Sequence, residues 1–252
     1  MDLQLENRTA IVTGASTGIG VGIARCLARE RVRIAIAARR GDRLSAVADD
    51  IEAQTGVRPV AIVADVTAPD DLARLVRDAV GALGNIDILI NCAGGSRPLP
   101  LDAGDAAWDE AFALNFTAVR RLTDAVLPSM RARRWGRVIN ISGTMEPRSL
   151  NAASAAKAAV HLWAKGLSCD VAADGVTVNT IAPGRINSEQ ILNRLHPTDD
   201  ARAAFIRANI PIGHFGEPED IGHLATFLCS PLAGYVTGAV VPVDGGMHFF
   251  AH

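Results

Sequence analysis

A glycine-rich turn near the N-terminus constrains the fold of this chain more than any other part of its sequence. The turn follows an apolar run at residues 9–12, leads into a helical pattern at residues 18–29, and reads Thr13-Gly14-Ala15-Ser16-Thr17-Gly18-Ile19-Gly20. Glycine adopts the positive φ of a tight turn without steric cost and allows strand, helix and ligand to approach closely. A helix N-terminus presents amide hydrogens and a partial positive charge to a phosphate. The sequence therefore predicts a strand–turn–helix unit that binds a dinucleotide pyrophosphate.

An alternation of short apolar runs and longer amphipathic stretches continues to the end of the chain. Several of the runs are apolar on both faces, as in parallel strands that helices cover on either side. The 252 residues, of which 49% are hydrophobic, suit one large core. We therefore expect an α/β Rossmann fold over residues 1–252, one domain with a doubly wound parallel sheet of seven strands. Strands are predicted at residues 9–12, 33–37, 60–64, 86–90, 137–141, 177–181 and 239–243, and helices at residues 18–29, 42–54, 69–83, 105–130, 151–172 and 218–229.

Two stretches interrupt the alternation, and each follows a predicted strand. Residues 143–150 form a predicted loop, and residues 186–210 hold two short helical patterns separated by His196-Pro197. Ligands of open α/β sheets bind beyond the carboxyl ends of the strands. We therefore expect both stretches to be walls of a substrate pocket, with residues 186–210 as a lid. Three arginines would bring positive charge to an anionic substrate group if they do not face solvent: Arg97, Arg148 and Arg185.

Composition excludes several other classes of protein. A formal net charge of −2 argues against a nucleic-acid or anionic-membrane partner, since both favour clustered positive charge. The first residues lack the apolar core of a signal peptide, and no apolar run is long enough to span a membrane. The four cysteines, Cys26, Cys92, Cys169 and Cys229, are too scattered for a zinc site or a disulfide framework. We therefore expect a cytoplasmic protein that binds no metal.

Five further motifs follow the glycine turn in order. They are Asp65-Val66, Asn91-Cys92-Ala93-Gly94, Asn115 within a helical pattern, Pro183-Gly184 with Ile186 and Ser188 beyond it, and Val243-Asp244-Gly245-Gly246. Together with the turn, these motifs resemble the short-chain dehydrogenase/reductase family over nearly the whole chain, in particular its 3-oxoacyl-carrier-protein-reductase-like branch. The resemblance implies an oxidoreductase that interconverts a ketone and a secondary alcohol with a nicotinamide cofactor, and a homotetrameric assembly.

The resemblance also implies which residues contact the cofactor. Asp65 and Val66 would contact the adenine, and Ile186 and Ser188 the nicotinamide amide. Lys157 would hold the nicotinamide ribose. The complete set of expected cofactor residues is Gly14, Ser16, Thr17, Gly18, Ile19, Gly20, Arg39, Arg40, Asp65, Val66, Asn91, Ala93, Gly94, Lys157, Pro183, Gly184, Ile186 and Ser188.

The end of the second predicted strand favours NADP(H) over NAD(H). A carboxylate there would accept hydrogen bonds from the adenine ribose and repel a 2′-phosphate. This chain instead reads Ala38-Arg39-Arg40. Guanidinium groups bind phosphate through charge-assisted bonds. The two arginines therefore predict a site for the 2′-phosphate of NADP(H), although either could be a solvated loop charge.

The proton-transfer site departs from the pattern that the resemblance implies. Family members use a tyrosine four residues before the lysine as the acid, an asparagine to hold a water, and a serine to bind the substrate oxygen. Lys157 and Asn115 match, but Ala153 occupies the tyrosine position. Alanine has no proton to donate. The serine position reads either Ser142 or Gly143, depending on which of the family's two serines acts.

Several residues could replace the missing acid. Ser154 lies three residues before Lys157, although an ordinary hydroxyl is a poor acid and packing of the helix is its more common role. Ser142 or Thr144 could reach the site because the following loop is short. The predicted pocket loops also contain Glu146, Arg148 and His196, and a histidine has a suitable pKa for proton transfer. The only tyrosine, Tyr235, is expected to be a packing residue far from the pocket.

Three hypotheses about function follow from this departure. The first is an NADP-dependent oxidoreductase of low activity, in which water, Ser154 or a loop residue supplies the proton. The second is a non-catalytic NADP(H)-binding sensor or partner subunit. The third is an enzyme of another reaction type in which Lys157 acts as the acid–base group. We favour the first because the groups expected to position a hydride donor and acceptor are retained, and positioning alone supplies much of a rate enhancement.

Overall fold

A computed structural model describes residues 1–96, 98–189 and 191–250. At the centre of the molecule is a sheet of seven parallel strands. The strands are β1 (Thr9–Thr13), β2 (Arg33–Ala38), β3 (Val60–Val63), β4 (Ile88–Asn91), β5 (Gly136–Ile141), β6 (Val176–Pro183) and β7 (Val240–Val243). Their order in the sheet is β3-β2-β1-β4-β5-β6-β7, which confirms the predicted doubly wound arrangement. The strands β1, β2, β4 and β5 are fully or largely buried on both faces, whereas the edge strand β3 is largely exposed.

The order of the strands determines where a ligand can bind. The strand β1 pairs with β2 on one side and with β4 on the other, so the direction of winding reverses at β1. The loops that leave β1 and β4 therefore diverge to opposite faces of the sheet and open a crevice at its carboxyl edge. The predicted glycine turn and the Asn91-Cys92-Ala93-Gly94 motif flank this crevice.

Helices of the described part of the chain cover both faces of the sheet. The helices are α1 (Ile19–Arg29), α2 (Gly41–Thr55), α3 (Pro69–Leu83), α4 (Asp105–Phe112), α5 (Ala118–Ala132), α6 (Ala152–Val171), α7 (Asp199–Asn209) and α8 (Pro218–Cys229). One apolar core joins α1, α2 and α8 to one face of the sheet, and a second joins α3, α5 and α6 to the opposite face. None of the helices in the described residues is long and apolar enough to cross a membrane.

The helical stretch predicted over residues 105–130 is helical, but it is not one continuous α-helix. A π-helical turn at Ala113–Thr117 separates α4 from α5. Asn115 lies within this turn and donates a hydrogen bond from its side-chain amide to the carbonyl of Ala111, at 2.9 Å. A π-helical turn widens the helix by one residue, and such turns are frequent at functional sites. The apolar pattern on either side is unbroken, which is why helical periodicity did not reveal it.

The segment between β6 and α8 contains the two helical patterns predicted for residues 186–210. They form a second π-helical turn, Ile191–Leu195, and the helix α7. Their apolar side chains make a small core of their own around Ile191, Ile210 and Phe215, against which Phe205, Ile206 and Met247 pack. The segment is therefore a separate packed layer above the carboxyl end of β6.

Candidate active site

Two glycines of the N-terminal turn are required by close packing. Gly14 has a φ of +68°, and a Cβ atom there would lie 2.8 Å from the backbone of Ala93. A Cβ atom on Gly20 would lie 2.5 Å from the carbonyl oxygen of Gly14. Both distances are shorter than real side chains allow, so α1 can begin this close to the crevice only because these positions lack a side chain.

Thr13 connects the loops on the two sides of the crevice. Its hydroxyl donates to the carbonyl of Ile90 at 3.2 Å and accepts hydrogen bonds from the amides of Cys92 and Ala93, each at 3.1 Å. The glycine turn and the loop after β4 are therefore held together by one buried side chain. This role of Thr13 was not predicted, and its only signal in the sequence is a threonine directly before the first glycine of the turn.

The N-terminus of α1 is open to an anion. Its N-cap residue is Gly18, which has a φ of +58° and no side chain to bond the first amides of the helix. Ser16, Thr17 and Ile19 around it are half-buried. The first turn of a helix leaves amide hydrogens without partners inside the helix. A pyrophosphate fits this cradle, because it would accept those hydrogen bonds and interact favourably with the helix dipole.

The loop that follows β6 forms another wall of the crevice. Gly184 follows Pro183, and a Cβ atom on this glycine would lie 2.6 Å from the Cα atom of Asp244. Ile186 is buried, and its side chain belongs to the core below the segment. The Cβ atom of Ser188 lies 3.1 Å from the position of a Cβ on Gly18. The structure thus brings the predicted nicotinamide-contacting loop against the start of α1.

Charged side chains gather at the other end of the crevice, beyond β2 and β3. Asp65 accepts hydrogen bonds from the amide and hydroxyl of Thr67, and these bonds, with Arg39 nearby, hold its pKa below the usual range. Arg40 lies 3.6 Å from Glu189, and Arg43 forms a second ion pair with the same carboxylate. The predicted 2′-phosphate site thus has Arg39 exposed and Arg40 engaged by a carboxylate of the segment after β6.

Asn91 lies inside the sheet, not on the surface of the crevice. It is 3% exposed, and its amide donates to Thr123 at 3.1 Å and to Asn140 at 2.9 Å. These partners belong to α5 and β5, so the side chain fastens neighbouring elements beneath the site. Val66 is also buried. A contact of either residue with a cofactor would therefore involve backbone atoms or a small part of the side chain.

Lys157 projects from the first turns of α6 towards the loops after β4 and β5. Its Nζ donates to the carbonyl of Ser142 at 2.7 Å. Cβ atoms built on Gly94 and Gly143 would lie 3.8 Å and 3.7 Å from the same Nζ. The buried Asn115 accepts a hydrogen bond from the amide of Gly95 at 3.2 Å. The structure therefore brings together the lysine, the asparagine and two glycines at one point of the crevice.

Burial changes the protonation equilibria at this point. Desolvation lowers the pKa of Lys157 and raises the pKa of the neighbouring Cys92 thiol to about 12. The cysteine is consequently a neutral thiol near neutral pH. An ammonium group carries three donors, and only one is used by Ser142. In its ammonium form Lys157 therefore has donors to spare, and its lowered pKa makes it a stronger acid than an exposed lysine.

The two serines considered as catalytic groups have different surroundings. Ser142 is 3% exposed, and its hydroxyl donates to the carbonyl of Ile181 at 3.2 Å, so it is used within the sheet. Ser154 is half-buried in the first turn of α6. Ala153 is buried, and the side chain of the N-cap residue Asn151 accepts a hydrogen bond from its amide at 3.0 Å. The position four residues before the lysine is therefore covered by other residues and is not exposed to solvent.

Other candidates for the acid are occupied or distant. Glu146 accepts a hydrogen bond from the amide of Phe249 at 3.0 Å, and Arg148 donates to Asn209 at 3.0 Å. His196 packs among aromatic rings, and burial lowers its pKa. The expectation that Tyr235 packs was wrong, because its side chain is fully exposed in a loop before β7. Arg97 lies outside the described residues.

Comparison with known proteins identifies the architecture. A family model described as Enoyl-(Acyl carrier protein) reductase matches residues 14–248. The 3-oxoacyl-[acyl-carrier-protein] reductase FabG of Vibrio harveyi is 37% identical over 252 residues, which cover 98% of this chain and 99% of that protein. The chain is a short-chain dehydrogenase/reductase. The fold and the family that the sequence motifs implied are thereby confirmed.

Solved structures of this family resemble the chain over its whole length. L-sorbose reductase from Gluconobacter frateurii, in complex with NADPH and L-sorbose, has a TM-score of 0.94 and 30% identity, covering 99% of this chain and 100% of that one. A 7α-hydroxysteroid dehydrogenase in complex with NADH and 7-oxoglycochenodeoxycholic acid has a TM-score of 0.91 and 32% identity, covering 98% and 96%. The short-chain dehydrogenases/reductases that resemble this chain thus include proteins bound to either nicotinamide cofactor.

Proposed function

We propose that this short-chain dehydrogenase/reductase interconverts a ketone and a secondary alcohol with NADP(H), at a site whose usual proton donor is absent. The observation that carries the proposal is the position of Lys157. Its amine lies near Asn115, Gly94 and Gly143, between the loops that follow β4 and β5. A dinucleotide bound along the crevice would place its nicotinamide end at this point.

The arginines after β2 support NADP(H) as the cofactor. Ala38 leaves no carboxylate to repel a 2′-phosphate, and Arg39 and Arg40 follow it directly. The pair between Arg40 and Glu189 is exposed, and exposed pairs contribute little energy, so a phosphate can take over the guanidinium. Fluorescence titration should give tighter binding of NADPH than of NADH. The double variant Arg39→Gln/Arg40→Gln should lose this preference, and Arg77→Gln, on the exposed face of α3, should keep it. Equal affinities in the unmodified chain would contradict the assignment.

In the proposed reaction the cofactor carries the hydride, and the chain supplies the proton. When bound, the nicotinamide supplies or accepts a hydride. Lys157 then provides ammonium hydrogens for the substrate oxygen, because Ala153 and Gly143 carry no group that could donate a proton there. Because its amine is bonded to the carbonyl of Ser142, Lys157 is oriented less favourably towards the substrate oxygen than a dedicated proton donor would be. We therefore infer slow but measurable turnover.

The remaining parts of the proposal concern the whole molecule. We infer that residues 1–252 act as one unit, with residues 186–210 as a lid over the substrate, and that the protein is cytoplasmic. A symmetric homotetramer is supported by apolar side chains left exposed, such as Leu162 on α6 and Phe249 in the C-terminal tail, which are 80% and 73% exposed.

The direct test is oxidation of NADPH in the presence of a panel of ketones, followed by the loss of reduced nicotinamide. Substrate-dependent oxidation that the variant Lys157→Met lacks would support the proposal. Tight binding of NADPH with no oxidation by any ketone would instead favour a non-catalytic cofactor-binding protein.

A further inference from the structure

Among the described residues, two buried nitrogen atoms in the segment after β6 lack a hydrogen-bond partner. They are Nε of Arg185 and Nε2 of His196. The guanidinium carbon of Arg185 lies 5.0 Å from the centre of the Phe205 ring, and the imidazole of His196 lies 4.5 Å from the same ring centre. Buried polar atoms are almost always paired in native proteins. Two unpaired nitrogen atoms beside the same ring therefore suggest that a ligand supplies the missing partner.

The charge of Arg185 is uncompensated within the described residues. Burial lowers the pKa of its guanidinium, and no carboxylate opposes this effect. Two carboxylates of the same segment have other partners, since Glu189 pairs with Arg40 and Arg43, and Asp199 pairs with Arg202. A third, Asp200, is exposed to solvent. An arginine remains charged in proteins. A half-buried cation without a counter-ion is costly, and an anion from outside would relieve that cost.

The surroundings of His196 make it a suitable second donor. Burial and the positive charges of Arg185 and Arg202 lower its pKa, so the imidazole is neutral near neutral pH. A neutral imidazole with its proton on Nε2 is a hydrogen-bond donor. The rings of Phe205 and Phe215 lie 4.5 Å and 5.6 Å from the imidazole, centre to centre, and both belong to the small apolar core of the segment. This environment strengthens a hydrogen bond to an anion and suits a hydrocarbon chain beside it.

The location links these donors to the catalytic lysine. Ser142, whose carbonyl binds Lys157, donates its amide to the carbonyl of Ile181 at 2.9 Å. Arg185 follows Ile181 by four residues, a stretch of chain that spans at most about 14 Å. Arg185 therefore lies two residues beyond the end of β6, the strand to which the lysine-binding Ser142 is hydrogen-bonded.

We propose that Arg185, assisted by His196, binds the carboxylate of the substrate, which is thus an oxocarboxylate with its carbonyl at Lys157. The inference rests on the proposed ketone reduction for the position of the carbonyl. A planar carboxylate matches the fork of a guanidinium and accepts from Nε–H and one terminal N–H together.

A kinetic comparison tests this specificity. Levulinate and methyl levulinate differ only in the carboxylate charge and its ester group. The unmodified chain should reduce levulinate with the lower KM, and Arg185→Gln should raise that KM about 10- to 100-fold while leaving the KM for the ester unchanged. Arg207→Gln, an exposed position on α7, is the matched control and should behave as the unmodified chain. Equal KM values for acid and ester in the unmodified chain would overturn the assignment, as would loss of the preference in Arg148→Gln and not in Arg185→Gln.

A binding experiment decides the question without turnover. Pentanoate, which has no ketone, is added to the unmodified chain with bound NADP⁺. It should shift the imidazole NMR signals of His196, which are assigned by comparison with the variant His196→Gln. The shift should be lost in Arg185→Gln, with circular dichroism confirming that this variant folds. If no ketone is reduced but pentanoate shifts the His196 signals through Arg185, the proposed reaction fails and the carboxylate site stands. Absence of a shift, or an equal shift in Arg185→Gln, would refute the site.

Discussion

Removal of the Lys157 ammonium is the perturbation that most sharply separates catalysis from cofactor binding. The Nζ donates to Ser142 at 2.7 Å and has two further donors, one of which we assign to the substrate oxygen. In Lys157→Met the general acid is lost, which typically costs about 100- to 10,000-fold in turnover, equivalent to about 3–5 kcal/mol in the barrier. The carbonyl of Ser142 also loses its partner, which costs about 1–3 kcal/mol of folding stability before the removal of a desolvated charge offsets part of it.

The pH profile gives a second, independent result. Because desolvation lowers the pKa of Lys157, its ammonium loses the proton at a lower pH than an exposed lysine does. Ketone reduction requires the protonated form, so the rate should fall as the pH rises through this lowered pKa. The alkaline fall should disappear in Lys157→Met, whose residual rate would depend on water.

The assay is steady-state oxidation of NADPH with a ketone, together with a separate measurement of NADPH affinity. Lys165→Met is the matched control, because Lys165 is the only other lysine of the chain and lies exposed two turns further along α6. A Lys157→Met variant that keeps turnover within about tenfold of the unmodified chain, or keeps the alkaline fall, would refute the role of the ammonium. A loss confined to NADPH affinity would assign the lysine to cofactor binding alone.

Two further predictions concern the cofactor turn and the assembly. Gly20→Ala forces a Cβ atom to within 2.5 Å of the Gly14 carbonyl, so it should lower stability by about 1–3 kcal/mol and weaken NADPH binding, measured by thermal melting and titration. Gly81→Ala, in α3 with no atom near the new Cβ, should be neutral or slightly stabilising, and a loss of stability there equal to that of Gly20→Ala would contradict the packing argument. Light scattering should show a tetramer, and a monomer at micromolar concentration would refute the proposed assembly.

The sheet could be predicted from the sequence because the local pattern of each strand agrees with its place in a buried parallel sheet. Strands β1, β2 and β4 are short β-branched runs between helical patterns, and two-sided burial in a parallel sheet produces this pattern. The π-helical turn at Asn115 was missed because one extra residue leaves the apolar stripe on either side intact. Periodicity averages over several turns and cannot detect a local insertion.

The sequence predicted which residues belong to the candidate site, but it did not predict which atoms they contact. The motifs identified Lys157, Asn115 and the glycines, yet nothing in the sequence showed that the Ser142 hydroxyl bonds within the sheet while its carbonyl binds the lysine. Tyr235 was assigned to packing because aromatic side chains usually are buried, and the structure leaves it in solvent. The pairing of Arg40 with Glu189 joins residues far apart in sequence and depends on the tertiary fold.

The central claim is that the cofactor site is intact and that the proton-donor position at Ala153 is vacant. The variant Ala153→Tyr tests it directly, because a phenol there would lie one helical turn from Lys157, whose ammonium would lower the phenol pKa. Oxidation of NADPH by a reducible ketone should be measured for the unmodified chain and the variant at equal NADPH saturation. We predict slow turnover in the unmodified chain and a gain of at least about 100-fold in the variant. Fast turnover in the unmodified chain, with no gain from the tyrosine, would contradict the claim.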